Sequence, residues 1–114
     1  MEDYRSRPRK NTPHLVNVIN DDTGRTVGRV VDITADGMML VTKDKIVKGN
    51  NYNFRIVLPV MVHHRADVCL VAQSVWVNSD TNPNYSKCGF KFIGLPVEDG
   101  FLLEDVMHKL NLVG

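Results

Sequence analysis

Asp32-Ile33-Thr34-Ala35-Asp36-Gly37 reads D-x-T-x-x-G, and its setting decides the fold. Residues 25–34 read as a strand, residues 35–37 as a turn and residues 38–41 as the next strand. Gly37 is expected to supply the positive φ that other residues resist. Asp32 and Thr34 lie two apart at the strand end, so they share a face, while Val31 and Ile33 point the other way into the core. A carboxylate and a hydroxyl are thus presented together beside a glycine that permits close backbone approach.

Working outward, the same strand-and-turn rhythm repeats. Residues 14–20 hold Leu15-Val16 and Val18-Ile19 and read as a first strand, closed by the turn signal Asn20-Asp21-Asp22-Thr23-Gly24. Tyr52, Phe54, Ile56 and Leu58 alternate along one face of a fourth strand, which Pro59 ends or places at an edge. Residues 67–77 and 87–93 read as strands either side of a polar loop with Pro83. From Pro96 the period changes, and Leu102, Leu103, Val106, Met107 and Leu110 recur at helical spacing. The expected fold is all-β dominated: a six-stranded antiparallel β-barrel over residues 14–114, closed or nearly so, with a C-terminal α-helix as a lid.

Ahead of the barrel, residues 1–13 carry charge, Pro8 and Pro13, and almost nothing to bury, so they are expected to be a flexible tail in the absence of a ligand. Arg5-Ser6-Arg7-Pro8-Arg9 contains R-x-x-x-R, and four of the fourteen Lys and Arg residues fall in the first ten positions. Guanidinium groups pair phosphate through parallel N–H bonds and stack on flat rings. Tail and turn together suit a compact ligand with both phosphates and hydrogen-bonding rings.

These two motifs, in this order, resemble the PilZ domain family, bacterial receptors for cyclic di-GMP whose pattern is R-x-x-x-R followed by [D/N]-x-[S/T]-x-x-G. Gly89-Phe90-Lys91-Phe92-Ile93 also resembles the family's last strand. The resemblance covers nearly the whole chain and implies a small antiparallel barrel with the dinucleotide held between tail and barrel. It implies that Arg5 and Arg9 contact phosphates and guanine faces, that Asp32 accepts from a guanine edge, and that Thr34 and Gly37 complete the site. Thr34 stands where the family usually has Ser, keeping the hydroxyl and adding a methyl. Arg7 and Tyr4 lie beside the arginine pair as further candidates. Trp76 either packs between barrel and helix or meets the ligand. Arg29, three residues before Asp32, shares its face only if a bulge intervenes. No cofactor is implied beyond the ligand cyclic di-GMP; the partners implied are that ligand and a protein that receives the signal, in motility, exopolysaccharide or virulence control.

Composition narrows the alternatives. A formal charge of +1 gives no broad cationic surface for long nucleic acid. Aromatic content of 7%, mostly at alternating core positions, gives little support for a single-strand-binding barrel. No apolar run is long enough to span a bilayer, and the charged start lacks a secretory h-region, so the expected location is cytoplasmic, with Cys69 and Cys88 as reduced, packed thiols. His63 and His64 have no ligand set that would make a zinc site. No catalytic constellation appears, so the chain is not expected to be an enzyme. The remaining alternative is a PilZ-like adaptor that binds a protein and no nucleotide; loss of either arginine would have favoured it.

Overall fold

A computed structural model describes residues 16–109 apart from His63 and Asp80. The described residues form six strands and one helix. They are β1 (Asn17–Asn20), β2 (Thr26–Ile33), β3 (Gly37–Thr42), β4 (Asn51–Val62), β5 (Arg65–Ser79), β6 (Ser86–Ile93) and α1 (Val97–Lys109). All pairings are antiparallel, and the order β1-β2-β3-β6-β5-β4 closes on itself through β1 and β4. The expected barrel with its C-terminal helix is therefore the fold. Among the described strands closure leaves no open sheet edge, which removes the usual template for edge-to-edge association.

Period-2 alternation fills the interior. Phe54, Ile56 and Leu58 of β4 are buried, as are Val68, Leu70 and Ala72 of β5 and Cys88 and Phe90 of β6. Phe54 meets Phe90 edge-on, with ring centroids 5.2 Å apart at 75°, the arrangement the ring quadrupole favours. Tyr52 stacks on Phe54 at 5.4 Å, and its hydroxyl oxygen accepts the Val47 N–H at 3.0 Å. In α1, Leu102, Leu103, Val106 and Met107 are buried against the barrel, so one apolar stripe docks the helix. Each such side chain contributes about 1.5–3 kcal/mol on burial. Glu98 and Asp99 sit in the first turn and His108 and Lys109 in the last, each complementing the helix dipole. Arg65, the first residue of β5, donates to Asp99 at 2.9 Å and pins the helix start.

The structure departs from the sequence reading of the strands and cysteines at three places. Pairing of β2 with β3 skips Val31, with Val30 opposite Leu40 and Asp32 opposite Met39. The core residues of β2 here are therefore Val30 and Ile33, and Val31 is only half-buried. Pro59 does not end its strand: β4 continues to Val62, but its register with β5 shifts between Val57 and Val62, and Pro59, with no N–H to donate, falls in that interval. Cys69 is exposed on the outside of the barrel; Cys88 alone is packed inside, where burial pushes its thiol pKa up. Among the described residues no helix is long and apolar enough to cross a membrane.

Candidate functional site

Strand registers carry Asp32 into a row across the outer face. Asp32 of β2 lies opposite Met39 of β3, Met39 opposite Gly89 of β6, and Gly89 opposite Trp76 of β5. With strands about 4.8 Å apart, the row spans about 14 Å. Both outer strands are irregular at this level. β2 bulges at Val31, next to Asp32, and the pairing of β5 with β6 skips Val75, next to Trp76. A bulge adds one unpaired residue, bends the strand and re-aims its neighbours. Here it happens at both ends of one row.

Gly89 is the seat of the indole. A Cβ built there would overlap Trp76 Nε1, Cε2 and Cδ1, so the ring lies directly across the glycine backbone. Trp76 keeps 36% of its surface exposed, with its ring seated on β6 at Gly89. A cavity of about 280 Å³ lies beside the indole, lined in part by Asp32, Thr34, Gly37, Met39, Trp76 and Gly89. Four of the residues singled out from sequence, Asp32, Thr34, Gly37 and Trp76, are thus brought to one depression.

The turn of the motif is held by bonds near and far. Thr34 N–H donates to the Gly37 carbonyl at 2.9 Å, and Thr34 Oγ1 accepts the Asp36 N–H at 3.2 Å. The hydroxyl proton of Thr34 stays available as a donor. The Asp36 carbonyl accepts Phe92 N–H at 2.9 Å. Ala35 N–H donates to Glu104 Oε2 of α1 at 2.9 Å, and a Cβ at Gly100 would lie 3.2 Å from the Ala35 Cβ. The helix therefore presses on the middle of the motif through a residue with no side chain and braces it with one carboxylate. Gly37 is not a positive-φ residue: among the described glycines those are Gly24, Gly49 and Gly94. Gly37 is required for space, because a Cβ there would run into the Phe90 carbonyl oxygen of β6.

Arg5, Arg9, Arg7 and Tyr4 lie outside the described residues. The point at which their segment joins the barrel is described. The Val16 carbonyl accepts Val30 N–H at 2.8 Å, so the chain meets the barrel two residues from Asp32. The bulge that the sequence could only make conditional is present, and Arg29, exposed, stands on the same outer face as Asp32. Met39 and Gly89 were missed from sequence. Gly89 carried a signal, since an isolated glycine inside a strand pattern marks a bulge or a close approach. Met39 carried none, for its place follows from the register alone. Among the described residues no group of three or more His, Cys, Asp or Glu is placed to hold a metal. His64 is an exposed turn residue at φ 63°.

The PilZ domain sequence profile matches residues 3–108, and the chain belongs to the PilZ domain family. Among solved structures it is similar to the Bacillus subtilis inhibitor of motility (MotI/DgrA), with a TM-score of 0.66 and 17% identity over 88% of this chain. That match takes in 49% of the other protein, so this chain spans about half of its length. At this identity the likeness speaks for the fold. No curated protein matches the sequence.

Proposed function

We propose that this chain is a cyclic di-GMP-binding effector, a binding domain rather than an enzyme, that passes ligand occupancy to a protein partner. The observation that carries the reading is the convergence of Asp32, Thr34, Gly37 and Trp76 on one depression, next to the point where residue 16 leaves the barrel. The Asp32 carboxylate suits guanine, whose N1–H and N2–H₂ are adjacent donors. The exposed indole offers a ring face for stacking. Arg9 lies seven residues before Val16, a reach of up to about 25 Å at full extension, which exceeds the width of the row. Arg5 and Arg9 then close over the dinucleotide from the side opposite the barrel, pairing its phosphates.

The energetics favour a switch of moderate affinity. Each charge-assisted bond to phosphate contributes about 1.5–3 kcal/mol. Fixing a tail residue costs about 1–2 kcal/mol. The balance predicts micromolar or better binding with ordering of residues 1–13, which creates the surface the partner meets. Occupancy reaches α1 as well, because Glu104 holds the Ala35 N–H inside the motif. The cytoplasm is where such a messenger would be met. A calorimetric titration tests the reading. Cyclic di-GMP binds at micromolar or lower concentration, GTP far more weakly, and Arg5→Ala and Arg9→Ala each lose about tenfold or more with unchanged circular dichroism. If GTP competes as well as cyclic di-GMP, the cyclic di-GMP reading is lost; if neither binds, the nucleotide-free adaptor takes its place.

A further inference from the structure

A second groove lies on the outer face of β2 and β3, and it shares no lining residue with the depression beside Trp76. It encloses about 580 Å³, and its walls include Arg25, Arg29, Lys43, Asp44, Asn82 and Tyr85. Register places it: Arg29 lies opposite Val41, and Val41 opposite Lys87, in the outward row two residues along from Met39. At about 3.3 Å per residue the two rows are about 7 Å apart.

The floor is already satisfied. Thr42 Oγ1 donates to the Val27 carbonyl and accepts Asp44 N–H at 2.9 Å, and Gly28 contributes no side chain. What the groove offers outward is charge. Three cations face one carboxylate, in a chain whose whole formal charge is +1. That carboxylate, Asp44, stands 3.7 Å from Arg25, whose side chain is 74% exposed, a loose surface pair that a better anion can replace. Lys43 Nζ sits 5.3 Å from the centre of the Tyr85 ring, which holds the ammonium at the groove wall. Two guanidinium forks and an ammonium, with a phenol and an amide in the walls, suit phosphate oxygens in hydrogen-bonding chemistry and sign.

We propose that this groove is a second anion site, taking a small ligand with two or more linked phosphates. The claim goes beyond the reading above and does not depend on it. A long polyanion is disfavoured by the balanced charge of the rest of the chain. The test is an NMR titration of the isotope-labelled full chain with sodium pyrophosphate, with ionic strength held constant by sodium chloride. The expected result is saturable movement of the Gly28, Arg29, Lys43 and Tyr85 amides while Lys45 and Lys48 stay still. Arg29→Gln and Lys43→Gln each weaken the effect by about fivefold or more, and Lys48→Gln does not. The amide spectra of the free variants report that each is folded. Movement that does not saturate, or that is equal at Lys45 and Lys48, overturns the site. So does complete displacement of pyrophosphate by one equivalent of cyclic di-GMP, which would make the groove part of the first site. Tighter binding of a glutamate-rich peptide of equal charge would make it a protein-docking surface and overturn the phosphate assignment.

Discussion

Two turns of this barrel each contain a glycine, and they need it for opposite reasons. The turn after β1 ends on Gly24 at φ +76°, with nothing within 4 Å of where a Cβ would stand. Local bonds close it, with Gly24 N–H donating to the Asn20 carbonyl at 2.7 Å and Asn20 Oδ1 accepting Asp22 N–H at 2.8 Å, and neighbouring β4 backs it, with Asp21 N–H donating to the Asn53 carbonyl at 2.8 Å and Arg55 pairing with Asp21 at 2.8 Å. The turn after β2 ends on Gly37, whose φ is ordinary and whose surroundings are full. Besides its local bonds through Thr34, it is held from far away by Phe92 of β6 and Glu104 of α1. One glycine solves a backbone problem and the other a packing problem. The first turn is tied to one paired strand of the sheet and the second to a strand and a helix, so only the second links the barrel to α1.

The comparison breaks most sharply on alanine. Gly37→Ala drives a methyl group into the Phe90 carbonyl oxygen, a backbone atom that yields only if β3 and β6 separate. The expected loss is about 1–3 kcal/mol or more, together with loss of cyclic di-GMP binding. Gly24→Ala has all the room it needs and is penalised only for its left-handed backbone, about 1 kcal/mol, with ligand affinity unchanged. Urea unfolding and calorimetry on the two variants measure both halves. Equal losses of stability and equal affinities would show that the two turns do not differ as argued.

The same contrast explains what could be read in the sequence. Asn20-Asp21-Asp22-Thr23-Gly24 is legible because the bonds that close it lie within a few residues and side chains of those types make them, whereas its further ties to Asn53 and Arg55 are not. The barrel and helix were legible because alternation in Tyr52–Leu58 and helical spacing from Leu102 are one-dimensional signals. Asp32, Thr34 and Gly37 were legible as a group through the family resemblance, but the reason for Gly37 was not, since its neighbour Phe90 is distant in sequence. Val31 was misplaced because a bulge leaves no mark in a run such as Val30-Val31, where either valine can face the core. The row from Asp32 to Trp76 exists only in the registers of four strands. No pattern along the chain encodes it.

A smaller effect tests whether the distant tie matters. Glu104→Ala leaves the part-buried Ala35 N–H without its acceptor, at a cost of about 1 kcal/mol. Glu104→Gln keeps an oxygen in place and restores most of it. If the helix brace sets the shape of the motif, cyclic di-GMP affinity falls about threefold to tenfold in the alanine variant and returns in the glutamine variant. Calorimetric titration of the two variants separates this from simple destabilisation, because at a temperature where both are fully folded only the geometry of the turn differs. Unchanged affinity in Glu104→Ala would confine the brace to stability and cut α1 out of the switch.

The smallest effect on stability comes from a third glycine, which belongs to neither turn. Gly89 sits mid-strand in β6 with the Trp76 indole laid across it. Gly89→Ala would push against a side chain, not backbone, and that side chain is already 36% exposed, so the ring can swing outward at little cost. A strand alanine also carries less conformational entropy in the unfolded chain than glycine, which offsets part of the strain. The thermal midpoint is therefore expected to move little, whereas the indole loses its seat beside Asp32 and Met39. A stacking contact between rings is worth about 0.5–1.5 kcal/mol, so cyclic di-GMP affinity should fall about twofold to tenfold. Trp76 is the single tryptophan of the chain, and its fluorescence reports the displacement directly. Ligand addition should change that fluorescence in the native protein and do so less in Gly89→Ala. A shifted emission with undiminished affinity would remove Trp76 from the binding surface and leave Asp32, Thr34 and the arginines to hold the ligand alone.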